Sequence, residues 1–280
     1  MMKHTLIKSI INNTFLPNYD TIENYFEENN LVYTDQAEIE GGFTLKYQCS
    51  DDEETFRENL KTQPEYWYYR THSVIYTLNS LGYRTREFDQ IDWKESVVMF
   101  GCSHVFGTGV TDEHTIPYFL EQLCGRPVIN MGIGGSSIQT ALHNSIILND
   151  SEYPTPKAVV NMWTGLNRYQ LYETNFTDHI GSGNFLDNRF EKRENIVSFN
   201  LMNIKMMRNL WKNKTIYFEG TTFEQEKLIN KLNGEVCCEP LDTPKFDHEF
   251  SRDLQHYSHM FNHEIAKKIY EKIKPQLENS

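Results

Sequence analysis

A serine, a histidine and an aspartate have the residue types that could together carry out a nucleophilic attack. Ser103 follows the apolar run 96–100, which is typical of a buried strand, so a small-residue turn there would expose the serine at the carboxyl end of the strand. A serine hydroxyl needs a base to take its proton as it attacks, and the imidazole of His256 is the candidate base. Asp253 precedes it by three residues and could orient the ring, or alternatively cap the C-terminal helix.

Attack on an ester carbonyl creates an oxyanion, and the sequence offers three hydrogen-bond donors for it. They are the backbone N–H of Ser103, the backbone N–H of Gly135 and the side-chain amide of Asn167. Each such donor is worth about 3–4 kcal/mol in mutational tests. Gly135 has no Cβ, so its backbone could approach a substrate closely. The structural alternatives are that the glycines of 132–135 only shape a turn and that Asn167 forms a local loop hydrogen bond.

These residues belong to four short motifs, and the first three each follow an apolar run at roughly 30-residue spacing: 101–103, 130–137, 163–167 and 253–256. In order and spacing the motifs resemble the four blocks of the SGNH (GDSL-like) hydrolase family. The resemblance implies that Ser103 is the nucleophile and that Gly135 and Asn167 stabilise the oxyanion. It also implies that Asp253 and His256 form the acid–base pair.

The resemblance covers about residues 96–275, and two positions within it depart from the family's usual pattern. Cys102 stands where the first block usually has Asp, and Arg168 stands at the last position of the third block, which is also usually Asp. We interpret Cys102 as a small packing residue rather than a thiol nucleophile. Arg168 could bind an anionic group of a substrate or form a surface salt bridge. Both departures bear on loop packing and substrate choice.

Strand and helix patterns alternate from residue 96 onward. Strands are predicted near 96–101, 127–131, 157–163, 214–219 and 234–238, and helices near 115–124, 137–149, 196–212, 222–232 and 257–277. Such alternation implies right-handed crossovers and a parallel sheet covered on both faces. We therefore predict an α/β protein, a three-layer α/β/α sandwich with a mostly parallel five-stranded sheet of SGNH or flavodoxin-like type.

Residues 1–95 differ in character from the rest and are predicted to form an N-terminal appendage with some β-structure, next to a catalytic domain at 96–280. The aromatic run 66–69 either lines a glycan or acyl groove or packs the appendage onto the core. The long polar and aromatic stretch 169–195 is predicted to overhang the pocket, because loops of that length often serve as lids.

Composition narrows the classes of binding partner and the cellular location that we expect for this protein. The net charge of −12 argues against wrapping nucleic acid or an anionic membrane. No segment approaches the ~20 apolar residues of a membrane span, and no signal-peptide pattern follows the basic start. The five cysteines are an odd number without metal-ligand spacing, which favours a reducing compartment. We expect a cytoplasmic protein. Release by a route that uses no signal peptide is an open alternative.

Histidines 256, 259 and 263 lie on roughly one helical face and could suggest zinc. No carboxylate or cysteine motif accompanies them, and His256 already has a role as base. The expected chemistry therefore needs neither a metal nor another cofactor. His104, directly after the candidate nucleophile, could touch the substrate or serve packing.

The sequence thus predicts a serine esterase that cleaves an acyl ester through an acyl-serine intermediate. Its substrate is a small acyl ester or an acylated glycan, as in a carbohydrate O-deacetylase. One alternative is a non-catalytic module that uses the same fold to bind a glycan or a protein, and another is acyl transfer to a sugar. The acyl group, the substrate and the oligomeric state stay open.

Overall fold

The computed structural model describes residues 13–16, 42–48, 50–170, 177–179, 193–221, 226–231, 238–240 and 250–278. The strands are β1 (Phe43–Leu45), β2 (Tyr76–Leu78), β3 (Val97–Gly101), β4 (Val128–Gly132), β5 (Ala158–Trp163), β6 (Arg168–Gln170), β7 (Thr177–His179), β8 (Ile216–Thr221) and β9 (Cys238–Pro240). The α-helices are α1 (Glu53–Thr62), α2 (Ser103–Phe106), α3 (Ile116–Cys124), α4 (Ile138–Asp150), α5 (Arg193–Trp211), α6 (Glu226–Asn230) and α7 (His259–Glu278). Short 3-10 turns lie at Tyr68–Arg70, Phe88–Gln90, Trp93–Glu95 and Asp112–His114.

The central sheet is parallel, with the strand order β4-β3-β5-β8-β9. The chain leaves β3 for one neighbour, β4, and then crosses to the other neighbour, β5. The carboxyl end of β3 is therefore a topological switch point, which is where open α/β sheets bind ligands. The first four predicted strands agree with β3, β4, β5 and β8 to within two residues, whereas the strand predicted at 234–238 lies mostly outside the described residues.

Helices cover both faces of this sheet. The helices α3 and α7 pack together on one face, and α4 and α5 pack together on the other. Side chains of β3 alternate between the two cores: Val97 and Met99 face α3 and α7, while Val98 and Phe100 lie in the core with α4 and α5. Burial on both faces explains why the strand is a continuous apolar run rather than an alternating one. The predicted three-layer α/β/α fold is confirmed.

The part of the chain before β3 adds a small antiparallel sheet and α1. In this sheet β1 pairs with β2, and the chain turns just after β2, where Gly82 N–H donates to the carbonyl of Asn79. Buried rings of the same region, including Trp67 and Tyr69, pack against Phe106 at the end of α2. The packing interpretation of the aromatic run therefore fits Trp67 and Tyr69. The domain boundary near residue 95 stays a prediction.

The stretch predicted as an overhanging loop is described only in part. Within it β6 and β7 form an antiparallel pair, and α5 begins at Arg193. The remaining residues of the predicted loop, 171–176 and 180–192, lie outside the described part of the chain. Over the residues that the structure covers, no helix combines the length and apolar character needed to cross a membrane.

Candidate active site

Ser103 is the first residue of α2, immediately beyond the carboxyl end of β3. Two glycines let this short helix lie close to the sheet. A Cβ on Gly101 would come within 2.3 Å of a Val105 methyl group, and one on Gly132 would come within 2.4 Å of the Phe106 nitrogen. The Gly101 and Gly132 positions of the first two motifs are thus explained by close backbone approach, which keeps Ser103 at the switch point.

The imidazole of His256 lies between Ser103 and Asp253. Its Nε2 is 2.7 Å from the Ser103 hydroxyl, and its Nδ1 is 2.7 Å from Oδ2 of Asp253. The structure therefore brings together three of the predicted site residues, although His256 and Ser103 lie 153 positions apart in the sequence. With a proton on Nδ1, Nε2 is free to accept the serine proton.

Both carboxylate oxygens of Asp253 are fully engaged. Oδ1 accepts hydrogen bonds from the Ser251 hydroxyl (2.7 Å) and from the backbone N–H groups of Gln255 (3.0 Å) and His256 (3.2 Å). Oδ2 accepts from the Ser50 hydroxyl (2.7 Å) and faces His256. Burial by itself raises the pKa of Asp253, but the hydrogen bonds from His256, Ser251 and Ser50 outweigh it and hold this pKa far below its usual range. Asp253 is therefore an ionised carboxylate at neutral pH.

Asp253 does not cap the C-terminal helix. That helix begins at His259, and the Ser258 hydroxyl accepts a hydrogen bond from the N–H of Phe261 at 3.4 Å. Asp253 instead lies in a tight loop that is closed by a 2.8 Å hydrogen bond from the Ser251 N–H to the carbonyl of His256. The local reason for its position is the turn, not the helix.

Leu254 and Gly109 make this loop conformation possible. Leu254 has a φ of +57°, a region that costs a non-glycine residue about 1 kcal/mol, and its side chain packs with the buried cluster around β1 and β2. Gly109 has a φ of +80°, and a Cβ there would come within 2.3 Å of the Ser251 hydroxyl. Sequence reasoning missed Gly109, although a Gly-x-Gly pattern closely follows Ser103.

Gly135 and Asn167 lie after the two strands that flank β3. Gly135 follows β4 and has a φ of +71°, and among the described residues no atom lies within 4 Å of the position that its Cβ would take. Asn167 follows β5 directly before β6 and is half-buried. Both residues therefore lie on turns at the same edge of the sheet as Ser103.

His104 packs beside the candidate base. Its ring is stacked on Tyr257 at 4.2 Å between centroids and lies 5.0 Å from the ring of His256. Burial, reinforced by the nearby His256 and Arg168, holds the pKa of His104 well below its usual range. His104 is accordingly a neutral aromatic neighbour of His256 at working pH.

The histidines considered for zinc do not converge. His259 packs against Tyr68 and His114, and His263 packs against Phe119. Within the described ranges, no group of three or more His, Cys, Asp or Glu residues is arranged to hold a metal ion. His256 is instead engaged on both ring nitrogens by Ser103 and Asp253.

The structure is thus an α/β protein in which Ser103, His256 and Asp253 form a hydrogen-bonded chain beyond the carboxyl end of β3. No protein-family model matches the chain, and no curated protein does. Solved structures similar to it include a putative GDSL-like lipase from Bacteroides ovatus (15% identity, 66% of this chain and 54% of that chain covered, TM-score 0.40). A second is an acetyl xylan esterase from Butyrivibrio proteoclasticus (10% identity, 66% of this chain and 64% of that chain covered, TM-score 0.45). A third is a carbohydrate esterase family 2 enzyme from Myceliophthora fergusii (13% identity, 65% of this chain and 67% of that chain covered, TM-score 0.40).

The chain thus matches just over half the length of the first of these structures. Each of these proteins is described as a lipase or an esterase.

Proposed function

We propose that the protein is a serine ester hydrolase of the SGNH type. The observation that carries the proposal is the bridging position of His256, whose two ring nitrogens are each 2.7 Å from Ser103 or Asp253. A nucleophile, a base and a carboxylate that orients the base are the three groups needed to activate a serine hydroxyl. Their position at the switch point of the sheet supports access to a ligand.

In the first step the Ser103 oxygen attacks the carbonyl carbon of an ester while His256 takes the hydroxyl proton at Nε2. Asp253 holds the ring by accepting from Nδ1 and stabilises the imidazolium that forms. The C–O bond to the leaving alcohol then breaks, and the imidazolium returns the proton to that alcohol. An acyl group is left on Ser103.

The tetrahedral intermediate carries a negative charge that must be stabilised. The N–H groups of Ser103 and Gly135 and the side-chain amide of Asn167 are the donors that we assign to it. The positive φ of Gly135, and the lack of any atom of the described residues within 4 Å of its Cβ position, support a backbone that a substrate can approach. Loss of one such donor lowers kcat by about 100-fold to 1,000-fold in related chemistry.

The second half of the cycle uses the same groups. His256 takes a proton from water, the resulting hydroxide attacks the acyl carbon, and the Ser103 oxygen leaves with the proton from His256. If a sugar hydroxyl takes the place of water, the product is a new ester, so the same apparatus performs acyl transfer. We assign hydrolysis as the main reaction and a small acyl group, such as acetate on a glycan, as the substrate class.

A fluorophosphonate probe tests the activated serine without knowledge of the substrate. We expect stoichiometric labelling of the wild type, measured by intact mass, and no labelling of Ser103→Ala or His256→Ala. Ser151→Ala is a matched control, because its hydroxyl donates to the nearby Leu148 carbonyl and accepts the Tyr153 N–H, away from the site. A folded wild type that is not labelled would contradict the proposal and favour the non-catalytic binding module.

Substrate class is tested with 4-nitrophenyl esters of increasing chain length, with and without an added sugar acceptor. We expect kcat/KM to fall from acetate to octanoate. Faster turnover of octanoate would contradict the small-acyl assignment. A sugar ester that accumulates at the expense of free acid would identify the protein as an acyltransferase instead.

A further inference from the structure

Residues from the N-terminal part of the chain reach the candidate acid–base loop. The Ser50 hydroxyl donates to Oδ2 of Asp253 at 2.7 Å, across 203 positions of sequence. This is the same carboxylate oxygen that faces Nδ1 of His256. Ser50 therefore contacts the group that orients the base, although it lies far from all four sequence motifs.

The next residue, Asp51, binds the same loop through a buried ion pair with Arg252. The Arg252 guanidinium donates from Nε and Nη2 to the two oxygens of Asp51, at 2.8 and 2.7 Å. The two side chains are only 1% and 5% exposed. Burial raises the pKa of Asp51, and Arg252 opposes this rise. Removing one partner of such a pair leaves an uncompensated buried charge and is therefore strongly destabilising.

Further contacts make this junction rigid. Arg252 also donates to the carbonyl of Lys46, and its guanidinium lies 4.7 Å above the ring of Tyr47. The Tyr76 hydroxyl donates to Asp51 and accepts the N–H of Gly109. The segment around β1 and β2 is thus joined both to the loop that precedes His256 and to Gly109, whose carbonyl accepts the N–H of Arg252 in that loop.

We propose that Ser50 is a positioning residue for Asp253 and that the Asp51–Arg252 pair holds the loop on which Asp253 and His256 lie. The inference rests on the proposed function, since it assigns to Ser50 a part in preparing the base. The N-terminal part of the chain accordingly completes the acid–base apparatus rather than merely covering the catalytic domain.

Ser50 offers a mild perturbation of this arrangement. Without its hydroxyl, Oδ1 of Asp253 keeps its three donors, so the loop stays closed, while His256 is the one remaining partner of Oδ2 among the described residues. A carboxylate with one donor fewer attracts the imidazolium more strongly, and its orientation is less fixed. The other charged or titratable neighbours of this pair, which are His104, Asp51, Tyr69 and Arg252, are unchanged. We therefore expect slower labelling of Ser103, and a plot of labelling rate against pH whose acid limb lies at higher pH.

The experiment compares Ser50→Ala with Ser50→Thr and with Ser80→Ala. Ser80 is the matched control, because its hydroxyl donates to the Glu87 carboxylate at the same 2.7 Å but on the exposed surface. The readout is the second-order rate constant of fluorophosphonate labelling as a function of pH, with thermal melting measured in parallel. We expect Ser50→Ala to label roughly tenfold more slowly, with the displaced acid limb and a nearly unchanged Tm.

Ser50→Thr retains a hydroxyl and is expected to restore both the rate and the pH profile, whereas Ser80→Ala matches the wild type throughout. An unchanged rate and pH profile in Ser50→Ala, beside a labelled wild type, would overturn this inference alone. A slower rate that Thr does not restore, without displacement of the acid limb, would also overturn it, since loss of packing would explain that result. If the wild type itself is not labelled, the proposed function has failed instead.

Discussion

Replacing Asp253 by asparagine tests the role of the carboxylate with almost no change of shape. Asn has one acceptor oxygen, and the three donors around Oδ1 of Asp253 favour its placement there. The new amide group then points toward Nδ1 of His256, which must become the acceptor. The proton of the imidazole moves to Nε2, facing Ser103, so the ring cannot take the serine proton.

The size of the effect follows from this change of tautomer. The same exchange in a Ser-His-Asp site lowers kcat by about 10⁴-fold, which corresponds to about 5.4 kcal/mol of transition-state stabilisation.

The same substitution also changes how the stability of the protein depends on pH. Because the pKa of Asp253 is lowered on folding, its contribution to stability is present above the unfolded value of about 3.9 and is lost as the pH falls below it. The wild type should therefore exceed Asp253→Asn in Tm at pH 7, by a margin that shrinks below about pH 4.

Labelling by a fluorophosphonate and hydrolysis of 4-nitrophenyl acetate give the rates. Melting curves between about pH 3 and about pH 8, a range that includes the ordinary carboxyl pKa, give the stability. Gln255→Ala serves as a control, because its backbone N–H is the group that binds Asp253 and survives the substitution. A folded Asp253→Asn protein that keeps its rate within tenfold of the wild type would refute the reasoning. It would show that His256 does not depend on this carboxylate for its tautomer.

Two other predictions concern the neighbours of the nucleophile. Gly132→Ala places a methyl group 2.4 Å from the nitrogen of Phe106, so we expect a loss of about 1–3 kcal/mol in unfolding free energy together with slower labelling. Gly125→Ala, which has open space at its Cβ, should lower stability only through its φ of +63°; equal labelling rates in the two variants would contradict the close-approach argument. His104→Phe keeps a neutral ring on Tyr257 and should label within about threefold of the wild type, whereas a changed KM for ester substrates would indicate substrate contact instead.

The parts of the fold that sequence alone predicted are those with local signals. Strands such as β3 are continuous apolar runs because both faces of the sheet are buried, and the pattern shows this directly. The relation of Ser103 to His256 was predictable for another reason. Each lies in a short motif with recognisable residue types, and a parallel sheet gathers the carboxyl ends of its strands at one edge.

The support around Asp253 could not be predicted in the same way. Ser50 and Asp51 lie in an acidic stretch that resembles a solvated surface, and nothing in their spacing marks a partner two hundred residues later. Arg252 is one basic residue among many, although it precedes the Asp-x-x-His motif directly. Pairings of this kind depend on tertiary contacts, for which a single sequence has no periodic signal.

The distance along the chain between Ser50 and Asp253 has a consequence for how the molecule acquires its site. Closing a loop of about 200 residues rather than about 20 costs roughly 2 kcal/mol more in chain entropy. The β–α units of the sheet are made from nearer neighbours, so we expect the junction between Ser50, Asp51 and the His256 loop to close after them. We accordingly expect fluorophosphonate labelling to return last during refolding and to be lost first in mild denaturant, while the sheet is still intact.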